Sequence, residues 1–80
     1  MEQKIKNRIE MIDYELTFKK KRLEAQTNEL KEAVAKYETY SIITFVPGYV
    51  RQIEELDREI KSLEEQKRML LWIAKEDGNA

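Results

Sequence analysis

Cysteine and histidine are absent from these 80 residues, glycine occurs twice and proline once. Without a thiol or an imidazole there can be no disulfide, no Cys/His zinc site, and neither a cysteine nucleophile nor a histidine base. With so little glycine and proline the chain has few turn formers, so it reads as one domain built from few, long elements. Long apolar runs are lacking too. Ile42-Ile43, Phe45-Val46 and Met69 to Ala74 are the longest, far below the roughly 20 residues that cross a bilayer. The segment Met1 to Lys6 interleaves polar residues where a secretory signal needs an unbroken apolar stretch. The expectation is a soluble, cytoplasmic protein that does not enter a membrane. No phosphate-binding glycine loop, serine elbow or metal-ligand spacing occurs, and a chain this short rarely builds both a core and an enclosed pocket. No enzymatic activity, cofactor, metal or small-molecule substrate is therefore expected.

What is present favours helices. Ala, Glu, Lys, Leu and Arg fill 40 of the 80 positions, while Leu, Ile, Val and Phe supply 20, enough to argue against disorder. Apolar residues recur with a heptad period: Ile9, Leu16, Leu23, Leu30 and Tyr37 fall at a, and Ile5, Ile12, Lys19, Gln26, Ala33 and Tyr40 at d. A second run places Ile53, Ile60, Lys67 and Ala74 at a, with Leu56, Leu63 and Leu70 at d. Acid-before-base pairs four residues apart, among them Glu15–Lys19, Glu54–Arg58 and Asp57–Lys61, each add about 0.2–0.5 kcal/mol to a helix.

The break between the helices is read at Pro47-Gly48, which suits the central positions of a type II turn, because proline cannot continue a helical ladder. The expected fold is all-α: helix 3–41, apolar turn 42–49, helix 50–77 ended by Gly78 in the left-handed conformation, and a frayed tail 78–80. In an antiparallel hairpin a residues face d residues, and paired residue numbers have a constant sum. A sum of 93 sets Leu30 against Leu63, Leu23 against Leu70 and the polar Gln26 against the polar Lys67. That register leaves Ile5, Ile9 and Ile12 on an overhang beyond the second helix. With the Met69–Ile73 cluster they imply a homodimer forming a four-helix bundle, with Ile5, Ile9, Ile12, Met69, Leu70 and Ile73 as dimerisation candidates.

Three features invite a functional reading. The apolar turn (Ile42, Ile43, Phe45, Val46, Tyr49) either caps the bundle or docks another protein. Trp72 is a second docking candidate, and Tyr14 and Phe18, four residues apart off the main seam, form a matching stripe on the first helix. Lys19, Lys20, Lys21 and Arg22 resemble a nucleic-acid patch, but consecutive helical residues fan out by about 100° each and do not track a phosphate backbone. The favoured function is a non-enzymatic protein-interaction module, a small adaptor, inhibitor or regulator acting on a larger protein. The alternative is a nucleic-acid-binding accessory protein using the basic N-terminal helix.

Overall fold

A computed structural model describes residues 2–79, with side-chain surroundings for 3–76. It contains two α-helices, α1 (Glu2–Lys36) and α2 (Thr39–Asn79), packed against each other as a hairpin. The Cα envelope measures 62 × 15 × 14 Å, a rod one helix pair wide. No described helix is long and apolar enough to cross a membrane.

The seam follows the heptads. Ile12, Leu16, Leu56 and Ile60 are buried, and Ile9, Leu23, Leu30, Ile53, Leu63 and Leu70, at further a and d positions, are half-buried. What differs from the sequence reading is where the chain reverses. The reversal is a two-residue link at Tyr37 and Glu38, and residues 42–49 lie inside α2, Pro47 included. The Tyr37 amide donates to the Ala33 carbonyl at 3.0 Å and the Ile42 amide to the Glu38 carbonyl at 3.0 Å, so one helix closes and the next opens within two residues. No described residue needs a positive φ to make this link. Helix α2 likewise runs through Gly78 to Asn79, so Gly78 does not end it; Ala80, the last residue of the expected tail, lies outside the described residues.

Energetics explain the choice. An interior proline costs a helix about 3 kcal/mol and an interior glycine about 1 kcal/mol. Reversing at Tyr37-Glu38 leaves helices of 35 and 41 residues, whose near-equal lengths let α2 reach back along almost all of α1. Ile12 is then buried, and Ile5 and Ile9 half-buried, rather than stranded, together a gain of about 3–6 kcal/mol. The proline is also placed where it does least harm. It is exposed, and so is Ile43, whose carbonyl loses its amide partner and can bond water instead.

The register moves accordingly. Cross-helix ion pairs join Lys19 to Glu59 (2.8 Å), Asp13 to Lys67 (2.6 Å) and Lys20 to Glu64 (3.6 Å), partners whose numbers add to 78, 80 and 84. These cluster near 79, two heptads below 93, and a slide of whole heptads leaves a facing d. Gln26 therefore does not meet Lys67. Lys67 reaches Asp13 instead, and the Gln26 Oε1 is buried without a hydrogen-bond partner. Tyr37 and Tyr40, assigned to the seam from sequence, are exposed, because one lies in the link and the other in the first turn of α2.

Candidate interaction surfaces

The inside of this rod is too thin to hold its apolar residues. Among the described residues four hydrophobic side chains are buried and twelve large ones are exposed, and the exposed ones gather at the two ends.

At the closed end, residues 37–50 carry an aromatic chain of contacts. The Tyr37 and Phe45 rings meet edge to face at 5.6 Å, and Phe45 and Tyr49 do so at 5.9 Å. Phe45 is g and Tyr49 d in the continued heptad, so both turn toward α1 and are half-buried, as are Ile42 and Val46. Of the five turn residues singled out from sequence, Ile43 alone is exposed. It stands on the e side, the side on which the sequence also places Val34 and Val50, both exposed. Tyr40 is 82% exposed at the same end. The apolar segment thus lies within the first three turns of a helix rather than in a protruding loop, and part of it closes the hairpin.

At the open end the arrangement differs. Ile5, Ile9, Ile12 and Leu70, proposed from sequence as contacts to a second chain, lie on the hairpin's own seam because α2 covers them in the observed register. Met69 and Ile73 do remain exposed, and with them Trp72 at 64%. On α1, Met11, Tyr14 and Phe18 are exposed at spacings of three and four, one stripe along the helix; Met11 was not singled out from sequence, although the same spacing rule identifies it. Tyr14 and Met11 also border a shallow groove with Asn7, Glu10 and Glu15.

Part of the charge is engaged along the rod. Lys19 donates to Glu59 and Lys20 pairs with Glu64, which leaves Lys21 and Arg22 of the basic run pointing elsewhere around α1. Asp57 accepts a bond from Lys61 at 2.8 Å, the one of the sequence-read pairs named above that closes as an ion pair among the described residues. The carboxylate holds the Lys61 ammonium above its ordinary value of 10.5, first by the hydrogen bond and then by its charge. Among the described residues no group of three His, Cys, Asp or Glu side chains is placed to hold a metal ion. Each of the grooves along the rod is open to solvent, one bordered by Asp13, Lys20, Glu64 and Lys67 and another by Arg22, Gln52, Glu55 and Glu59. The surfaces available for recognition are therefore two apolar ends joined by a charged shaft. Compared with known proteins, the chain matches no family model, no curated protein and no solved structure.

Proposed function

We propose that this chain is a non-enzymatic protein–protein interaction module, a small adaptor, inhibitor or regulator that presents a stiff helical rod to a larger protein. The observation that carries this reading is that, among the described residues, twelve large hydrophobic side chains are exposed while only four are buried, the rest of the seam being half-buried. A stand-alone domain normally keeps large apolar patches out of water, and clustered exceptions mark binding sites. In its working form the rod is a homodimer, two hairpins making a four-helix bundle, which supplies the core that one hairpin lacks.

The closed end, through Tyr40 and Ile43, is the surface for the foreign partner. Affinity capture from the native cell with wild type beside a Tyr40→Glu, Ile43→Glu variant tests it, with circular dichroism to confirm that both are helical. The same partner retained by the folded variant would refute the closed end as the docking surface. Selective loss of that partner supports it.

A further inference from the structure

The homodimer proposed above has a definite face. We infer that a second copy of this chain covers the open end of the rod on the side formed by Met11, Tyr14 and Phe18 of α1 and by Met69, Trp72 and Ile73 of α2.

Surface area supplies the first argument. A compact folded chain of 9.6 kDa exposes about 5,100 Å² by the usual scaling of surface with mass. This rod exposes 6685 Å², about 1,600 Å² more than that scaling gives. The surplus matches what one partner contributes to an obligate dimer interface, roughly 1,000–2,500 Å².

Placement supplies the second. Arg22, Gln52, Glu55 and Glu59 border one groove, which fixes the side of the hairpin to which the g positions of both helices turn. Ile73 lies on the same g line as Gln52 and Glu59, and Met69 on the same c line as Glu55, two heptads on. Met11 and Phe18 occupy c on α1, with Tyr14 and Trp72 at the adjoining f positions. The Asp13–Lys67 and Lys20–Glu64 pairs set the level of the helices, bringing Met11 beside Met69, with Trp72 and Ile73 one turn further toward the open end. Met11 and Phe18 on α1 and Met69 and Ile73 on α2 therefore form one patch of two parallel ridges, the shape a helical hairpin offers to another hairpin, and Tyr14 and Trp72 flank it on the outer edges of the two helices.

Charge supplies the third. The rim carries both signs, Arg8 and Lys21 with Glu15 and Glu65, and the net charge is −1, so an identical copy meets little repulsion and can match its partner about a two-fold axis. Further along the same side the surface is charged, with Arg22, Glu29, Glu32, Lys36 and Glu55 exposed, which confines the apolar contact to the open half.

Sedimentation and oxidative cross-linking test the inference, and the absence of cysteine makes the second clean. Wild type should sediment as a dimer at micromolar concentration. Phe18→Glu with Trp72→Glu should weaken self-association about 100-fold or more while helicity is kept. Ile43→Glu, at the other end, should leave it unchanged. Of single cysteines placed in turn at Met11, Tyr14 and Phe18, at least one should form an intermolecular disulfide on mild oxidation, and one at Tyr40 should not; this arm decides the matter if the double variant does not fold. A dimer that survives Phe18→Glu with Trp72→Glu, or cross-links through position 40 and through none of 11, 14 and 18, overturns this face and leaves the dimer standing. A wild-type monomer at every concentration overturns both.

Discussion

The two halves of the rod are held by different physics. In the open half, roughly residues 9–23 against 56–70, four aliphatic side chains are buried and all three cross-helix ion pairs form. In the closed half no described side chain is fully buried, half-buried aliphatics sit beside edge-to-face aromatics, and the helix carries both Pro47 and Gly48. One half is stabilised by removal of aliphatic surface from water, which depends on register. The other follows because the link at Tyr37-Glu38 ties it on, and it carries most of the local cost of the fold. The well-packed half thus decides the register, and the poorly packed half accepts a helix its own sequence disfavours.

The contrast can be broken by truncating each half in turn. Leu16→Ala in the buried seam should cost about 2–5 kcal/mol, enough to unfold a marginal hairpin. Val46→Ala, half-buried in the closed half, should cost clearly less. Urea denaturation followed by circular dichroism reads both, and equal losses would mean that the halves do not differ.

The position of the link is tested by the sign of two substitutions. In a continuous α2, Pro47→Ala should stabilise by up to about 3 kcal/mol. Gly48→Ala should add about 0.5–1 kcal/mol, since a Cβ at Gly48 meets no atom within 4 Å and no positive φ is needed there. A type II turn at Pro47-Gly48 would reverse the sign for Gly48, which would have to adopt positive φ. A lowered melting temperature for Gly48→Ala would therefore restore the sum-of-93 register.

The smallest effect belongs to the shaft between the halves. Asp57→Asn should bring the Lys61 ammonium back toward 10.5 in an NMR titration. Because the folded value is raised, the pair contributes below 10.5 and its contribution disappears as pH rises through that higher folded value. Both side chains are at least half exposed, so stability at neutral pH should hardly change. An unmoved Lys61 titration would remove the hydrogen bond from this account.

How far the sequence could be read depends on the element. The helices, the seam and its polar interruptions at Lys19, Gln26 and Lys67 were legible, because a 3.5-residue period names the buried face whatever the partner helix does. The open-end stripe was partly legible from the spacing of Tyr14 and Phe18. The link was not, although Tyr37, Thr39, Tyr40 and Ser41 are all middling helix formers and mark a dip in propensity there. Proline and glycine nearby gave a stronger local signal, and it was the wrong one.

By itself, then, the sequence determined the helical class, the antiparallel seam and which residues face it, because those follow from local periodicity. The register and the site of reversal were decided by tertiary structure. Heptad seams repeat every seven residues, so pairings that sum to 79 and to 93 satisfy the same pattern. Only the difference in total apolar burial, Ile5, Ile9 and Ile12 covered or stranded, outweighs the cost of a proline inside α2. The same register put Ile5 and Ile9 on the hairpin's own seam, whereas Met11, Tyr14, Phe18 and Trp72, at c and f, lie outside it in either register, so packing between the helices settled the fate of the seam residues and the heptad alone that of the outer stripe.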